Sequence, residues 1–256
     1  MNDILFAFLL TLLAGLSTSI GGAIGVLAKQ TNFKFLAMCL SFSAGVMLFI
    51  SFVEIFDKAK ESLSYEYGYD SGFLFTTIAF FAGVLLIALI DKFIPHYDDE
   101  TEHGDAASLK RTGISSAIAI AIHNFPEGLV TFMAAMYDPA LGVAIAIAIA
   151  LHNIPEGIAV SAPIYYATGS KKKAVLLATA SGLTEPLGAL AGFFLLSQIF
   201  GEAMFGITFA AVGGMMVFIA LHQLLPAANK YGNHHLVMKG CFAGMVVIAL
   251  SLLVLH

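Results

Sequence analysis

The chain has 256 residues, of which 59% are hydrophobic and only 11% are charged, and its formal net charge is −5. Its mean hydropathy of +0.89 excludes a water-soluble globular domain, which needs far less apolar side chain. Nothing in the charge pattern indicates a nucleic-acid partner, so the composition predicts that the lipid bilayer surrounds most of the chain.

Eight apolar windows are long enough to cross a bilayer, which takes about 20 residues of helix. They cover residues 4–28, 33–56, 71–92, 112–136, 139–166, 173–199, 203–226 and 236–255. Ala and Ile alternate over residues 144–150 as in a strand, but that apolar run is too long and no companion strands could close a barrel. The sequence therefore predicts an all-α polytopic membrane protein with eight transmembrane helices, forming a single transmembrane domain over residues 1–256.

The basic residues predict the orientation of these helices. Ten of the twelve Lys and Arg residues fall in loops on one side of the bundle, and only Lys58 and Lys60 fall on the other. The positive-inside rule places the basic side in the cytoplasm. We therefore expect both termini to be extracytoplasmic and the loop of about 93–111 to be cytoplasmic. The first window lacks a basic leader and a cleavage site, which predicts a retained span in the cell (inner) membrane.

The first two windows carry small residues and one acidic residue. Gly21 and Gly25 are spaced so that helix backbones can approach closely. The second window carries Met47 and Glu54, two turns apart on roughly one face, with Glu54 near the outer end. From its position alone, Glu54 could simply reach the lipid headgroups. The polar stretch 57–70 that follows is predicted to be an external loop.

The third window ends at Asp91, and acidic and histidine side chains crowd the loop that follows, from His96 onward. Such a cluster is most often a solvated loop. A group of carboxylates and imidazoles on this side of the membrane can instead capture or sense a metal ion weakly. Both interpretations stay open for residues 96–105.

Two runs of one pattern lie in the fourth and fifth windows: His123-Asn124-Phe125-Pro126-Glu127-Gly128 and His152-Asn153-Ile154-Pro155-Glu156-Gly157. Ionisable side chains are costly inside a bilayer and usually mark a pathway or a site. On a helix, His and Glu four positions apart and Asn and Glu three apart lean toward one face. Each helix therefore offers an imidazole, an amide oxygen and a carboxylate together.

A single set of this kind could merely satisfy its own polar groups between packed helices. Two sets with the same order and spacing instead predict a shell of mixed nitrogen and oxygen ligands where the helices face each other. That mixture suits Zn²⁺ and other divalent first-row metals, because carboxylates alone would favour Mg²⁺ or Ca²⁺.

Two later windows add polar groups. Glu185 lies inside the sixth window, where an acid needs a partner. Both Glu185 and His123 lie about 12 residues from cytoplasmic basic residues, roughly 18 Å of helix, which places them near the bilayer midplane. The seventh window ends with His222 and Gln223, on the same side of the membrane as Asp91.

The paired runs resemble the ZIP family of divalent metal transporters, which carry two HNxPEG runs on consecutive membrane helices. The order of the other segments is most similar to the bacterial zinc-uptake branch, and the resemblance covers essentially the whole chain. It implies a ZIP-type 3+2+3 bundle, in which the first three and last three helices form an inverted repeat around the central pair.

The resemblance also implies two adjacent metal sites. The first would use His123, Glu127, His152 and Glu156. The second would use Asn124, Asn153 and Glu185, with Glu127 and Glu156 bridging the two sites. The implied pathway residues are Met47, Glu54, Asp91, His96, His222 and Gln223. Gln223 departs from the family pattern, which commonly has an acid after the histidine.

The function implied is transport of divalent metal toward the cytoplasm. Zn²⁺ and Fe²⁺ are the first candidates, and Mn²⁺, Co²⁺ and Cd²⁺ are further ones. The metal would be a bound substrate rather than a catalytic cofactor. The partners implied are the metal ions, the lipid bilayer and, since family members are often dimeric, a second copy of the chain.

Two alternatives use the same ligands. An intramembrane zinc-dependent hydrolase would also bury His and Glu around zinc, with a water ligand left for chemistry, although the chain lacks an HExxH motif. A metal-binding membrane sensor would bind the ion without moving it. Metal flux in sealed liposomes, with a search for a hydrolysed product, separates all three.

Overall fold

The computed structural model describes residues 3–27, 33–92, 106–196 and 201–255. Within these ranges the chain forms eight helices long and apolar enough to cross a membrane, and it has no strand. The predicted all-α class is therefore confirmed, including the helical assignment of residues 144–150.

The eight spans are labelled α1 to α8. The first four are α1 Asp3–Leu27, α2 Phe33–Tyr67, α3 Tyr69–Asp91 and α4 Ala106–Tyr137. The last four are α5 Pro139–Thr168, α6 in two pieces Lys171–Gly182 and Thr184–Leu196, α7 Glu202–Tyr231 and α8 His234–Leu255. Two of them contain one π-helical turn each, Ser51–Ile55 in α2 and Ala220–Leu224 in α7.

The predicted external loop at 57–70 is wrong, because α2 stays helical to Tyr67 and the chain turns only at Gly68, where φ is +83°. The charged side chains of this stretch pair along the helix, and Lys58 Nζ lies 3.1 Å from Glu61 Oε2. The opposite face is buried, and Ser62 Oγ donates to Glu202 Oε2 of α7 at 2.6 Å. The polar residues of this stretch therefore form the exposed face of an amphipathic helix end and not a loop.

The predicted cytoplasmic loop of about 93–111 is also too long, since α4 begins at Ala106. His96 and the other residues of 93–105 lie outside the described residues.

A tight connection sets the relative depth of the two hexapeptides. Asp138 caps α5 by accepting a hydrogen bond from the backbone N–H of Ala140 at 2.8 Å, and Pro139 occupies the first turn. His123 lies 15 residues before this cap and His152 lies 14 residues after it. At 1.5 Å per residue the two histidines therefore reach nearly the same depth, about 21 to 23 Å from the turn.

The helices pack in two groups. One group contains α1, α4, α5 and α6, the other contains α2, α3, α7 and α8, and α2 packs against α5 between them. The hexapeptides thus lie within the first group, with α2 as a neighbouring wall.

Glycine contacts of one kind join four helix pairs. In each pair, two glycines lie so close to the partner backbone that an added Cβ would collide with a carbonyl oxygen. Each carbonyl belongs to the residue three positions before the partner's glycine. The glycine pairs are Gly21–Gly157 (α1–α5), Gly128–Gly188 (α4–α6), Gly45–Gly244 (α2–α8) and Gly83–Gly214 (α3–α7). The close packing predicted for Gly21 is confirmed, and Gly25 likewise lies against Ser161 of α5.

Replacing Gly21 with Val should lower the free energy of unfolding by about 2 kcal/mol or more, because the side chain meets the backbone oxygen of Ile154 rather than a movable side chain. Ala23→Val is the matched control, since Ala23 lies on the exposed face of the same helix. Thermal unfolding of both variants in detergent, followed by circular dichroism, measures the difference. Equal stability of the two variants would contradict the tight α1–α5 contact.

Candidate metal centre

The two hexapeptides lie inside continuous helices, because neither Pro126 nor Pro155 ends α4 or α5. The i, i+4 spacing brings each histidine above the glutamate of its own helix. His123, Glu127, His152 and Glu156 are each no more than 1% exposed. The structure therefore gathers the four predicted ligands in the interior of the bundle.

Each histidine faces the glutamate of the other helix. His123 Nε2 lies 3.2 Å from Glu156 Oε2, and His152 Nε2 lies 3.3 Å from Glu127 Oε1. We call these the crossed pairs. They follow from the antiparallel arrangement, in which the start of one hexapeptide lies beside the end of the other.

Glu185 lies next to the crossed pairs. It sits in the first turn of the second piece of α6, just after the helix break at Leu183, and is fully buried. Asn153 Nδ2 donates to Glu185 Oε1 at 2.5 Å, and the backbone oxygen of Glu185 abuts Gly128. Glu185 is therefore held between α4 and α5, within reach of both hexapeptides.

The two asparagines make equivalent backbone contacts. Asn153 Nδ2 donates to the carbonyl of Ala14 in α1 at 3.0 Å, and Asn124 Nδ2 donates to the carbonyl of Ser181 in α6 at 3.3 Å. With the amide nitrogen used in this way, each side-chain oxygen is left as an acceptor for a ligand.

Many polar atoms of this cluster have no hydrogen-bond partner among the described residues. They are His123 Nδ1, Asn124 Oδ1, Glu127 Oε1 and Oε2, His152 Nδ1 and Nε2, Asn153 Oδ1 and Glu185 Oε2. His152 Nε2 and Glu127 Oε1 are close but are not aligned for a hydrogen bond. Buried unpaired polar atoms are costly, and a bound cation would satisfy several of them at once.

No three His, Cys, Asp or Glu side chains in the described ranges already surround a common point at metal-ligand spacing. Binding a cation between these side chains would therefore require them to shift from the positions seen here. The donor set of imidazole nitrogens, carboxylates and amide oxygens fits Zn²⁺ and similar divalent ions.

The outer candidates Met47 and Glu54 lie on α2. Met47 is fully buried, and Glu54 is buried within the π-helical turn, so Glu54 is not directed to the headgroups as an exposed acid. One turn before Met47, Ser43 Oγ donates to Glu156 Oε1 at 2.8 Å. Ser43 is not among the residues predicted from sequence, although its i, i+4 spacing from Met47 places it on the same helix face.

Three of the inner candidates come together where α3 ends against the π-helical turn of α7. Gln223 Nε2 donates to Asp91 Oδ1 at 2.7 Å, and His222 Nδ1 lies 3.3 Å from Asp91 Oδ2. Asp91 is buried and His222 is exposed. This group, called the inner cluster because the predicted orientation puts it on the cytoplasmic side, is separate from the crossed pairs.

Known proteins of one family are similar to this chain over nearly its whole length. A family model described as ZIP Zinc transporter matches residues 91–252. The zinc transporter ZupT of Chlorobaculum parvum is 57% identical, with 98% of each chain covered. Those of Clostridium perfringens and Oceanobacillus iheyensis are 53% and 51% identical, and the alignments cover at least 97% of every chain.

Replacing His123 or His152 with Ala should weaken equilibrium binding of Zn²⁺ by at least about 10-fold and binding of Mn²⁺ by less, because imidazole favours Zn²⁺ and oxygen ligands suit Mn²⁺. Titration of the purified protein in detergent with each metal measures both affinities. His234→Ala, at an exposed position, should leave both unchanged. An equal loss for both metals would mean that the histidines shape the helices rather than bind the ion.

Proposed function

Because the chain belongs to the ZIP family of zinc transporters, we propose that it carries Zn²⁺ across the cell (inner) membrane toward the cytoplasm. Membership makes the protein a multi-pass membrane transporter of divalent metal and not an enzyme, which removes the hydrolase alternative. The metal is the transported substrate.

One observation carries the proposal. Two antiparallel helices bury two imidazoles and two carboxylates against each other, and among the described residues three of the four ring nitrogens and two of the four carboxylate oxygens lack hydrogen-bond partners. Ionisable groups at such depth in a bilayer mark an ion pathway. A purely structural cluster would pair these atoms with one another instead.

We propose two adjacent metal positions. His123, Glu127, His152 and Glu156 would hold the first metal. Asn124, Asn153 and Glu185 would hold the second, with Glu127 and Glu156 shared. The contact between Asn153 and Glu185 supports this grouping. Three acids cannot all stay ionised in a dry interior, so metal and protons must compete for them.

The proposed route enters past Met47 and Glu54 and leaves past the inner cluster. This direction rests on the basic loops, which predict extracytoplasmic termini. The proposal treats residues 1–256 as one transmembrane domain and expects two copies to associate. His96 and the acidic stretch to 105 stay candidates for metal capture near the exit.

Uptake into sealed liposomes tests the function, because a sensor would bind metal without moving it. Competition of Fe²⁺, Mn²⁺, Co²⁺ and Cd²⁺ with Zn²⁺ in the same assay measures the range of substrates. Absence of Zn²⁺ flux, from a protein that binds Zn²⁺ in detergent, would favour the sensor.

Glu127→Ala or Glu156→Ala should lower Zn²⁺ uptake by at least about 100-fold without preventing membrane insertion, because each removes a charged ligand shared by both proposed sites. Glu61→Ala is the control, since the Glu61 side chain is 66% exposed and belongs to the end of α2. Uptake is compared at matched amounts of protein in the membrane. Wild-type rates in either site mutant would rule out the two-site proposal.

Equilibrium affinity for Zn²⁺ should fall as the pH drops from about 7.5 to 5.5, because binding needs neutral imidazoles and the usual His pKa is near 6.5. Protons bound to the free site oppose the metal, so the sign is a loss on acidification. Titrations in nanodiscs, without a proton gradient, isolate this binding step.

The double variant His123→Gln/His152→Gln should lose most of this pH dependence and keep only the contribution of the carboxylates. A flat wild-type profile, or a full slope in the double variant, would show that the two histidines are not metal ligands.

A further inference from the structure

One side chain outside the hexapeptides touches their carboxylates. Ser43 is fully buried on α2, and its hydroxyl donates to Glu156 Oε1 at 2.8 Å. The other oxygen of Glu156 lies 3.2 Å from His123 Nε2. Both oxygens of Glu156 are therefore engaged, one by α4 and one by α2.

Glu127 is held differently. Neither of its oxygens has a hydrogen-bond partner among the described residues, although His152 Nε2 lies 3.3 Å from Oε1. The two hexapeptides have the same pattern, and their His, Asn and Glu side chains are all at most 1% exposed. The difference between the two carboxylates therefore comes from the surrounding helices.

The glycine contacts identify the position equivalent to Ser43 in the other half of the described chain. Gly45 of α2 and Gly214 of α7 occupy equivalent places in their helix pairs, and each lies six residues before a π-helical turn. Two residues before Gly45 is Ser43, and two residues before Gly214 is Val212. Val212 is buried and has no hydrogen-bonding group, so the second wall offers no equivalent of Ser43.

We propose that Ser43 is a positioning and specificity-determining residue of the metal site. Its hydroxyl holds Glu156 in a fixed orientation beside the place that the ion would occupy, whereas among the described residues Glu127 has its crossed pair with His152 and no hydroxyl donor. Met47, one turn further along α2 and equally buried, adds a thioether to the same wall. This inference rests on the proposed function and assigns α2 a part in choosing the ion.

The chemistry of position 43 predicts the direction of the effect. A hydroxyl is a hard, neutral oxygen group, and the site otherwise offers imidazoles and carboxylates. A thiol at the same place would give a thiolate on binding soft metals, which favours Cd²⁺ and Zn²⁺ over Mn²⁺.

Ser43→Ala tests the positioning role. Equilibrium affinity for Zn²⁺ in detergent should fall by about 10-fold, as for other groups that orient a metal ligand. Ser41→Ala is the matched control. Ser41 is equally buried two residues away, and its hydroxyl donates to the backbone carbonyls of Ala37 and Met38. Its affinity should equal that of the wild type.

Ser43→Cys tests the specificity role with a signal that a merely structural residue would not produce. The ratio of Cd²⁺ affinity to Mn²⁺ affinity should rise by at least about 10-fold, and bound Cd²⁺ should give the ultraviolet charge-transfer band of a cadmium thiolate. Ser41→Cys controls for the native Cys39 and Cys241 and should give neither change.

Wild-type affinity in Ser43→Ala, or the same spectrum and metal ratio in Ser43→Cys and Ser41→Cys, would overturn this inference while leaving the transporter intact. Failure of the proposed function is distinct, because the wild-type protein itself would then bind no Zn²⁺ and support no flux. A folded, monodisperse Ser43→Cys protein that binds Zn²⁺ keeps the test valid even if Ser43→Ala is unstable.

Discussion

The crossed pairs between α4 and α5 are the interaction on which the site depends. Four ionisable side chains could not be buried separately in a bilayer at a tolerable cost. Placing each imidazole beside the carboxylate of the other helix lowers that cost without using up all of their ligand atoms. The turn capped by Asp138 sets the relative register of α4 and α5, and this register brings each histidine beside the glutamate of the other helix.

The glycine contacts turn this local arrangement into a scaffold. Each hexapeptide ends in a glycine that abuts a neighbouring backbone: Gly128 lies against Glu185, and Gly157 lies against Thr18. The glycine that ends each hexapeptide is therefore a packing residue. These two glycines let α6 and α1 lie close enough for their backbone carbonyls to accept hydrogen bonds from Asn124 and Asn153.

The site could be predicted from sequence where local spacing determines it. Two repeats of His, Asn and Glu at helical spacing sufficed to identify the buried cluster. The helical end of α2 could not be predicted, because its sequence is as polar as that of a loop. Its buried face is defined by packing against α7, which is distant in sequence. Ser43 was missed for a related reason, since a hydroxyl is common in membrane helices and its partner Glu156 lies 113 residues away.

The same glycine contacts also relate the two halves of the chain. Exchanging α1 with α6, α2 with α7, α3 with α8 and α4 with α5 maps each glycine pair onto another, which supports the inverted repeat that the sequence resemblance predicts. The π-helical turns of α2 and α7 also lie at equivalent positions of the two halves.

Some equivalent positions of the two halves carry chemically different side chains. The differing counterparts are Glu185 and Thr18, Ser43 and Val212, and Glu54 and Gln223. On a scaffold whose halves are equivalent, these unlike side chains would give a bound metal different neighbours on its two sides, which is the asymmetry that directional release requires.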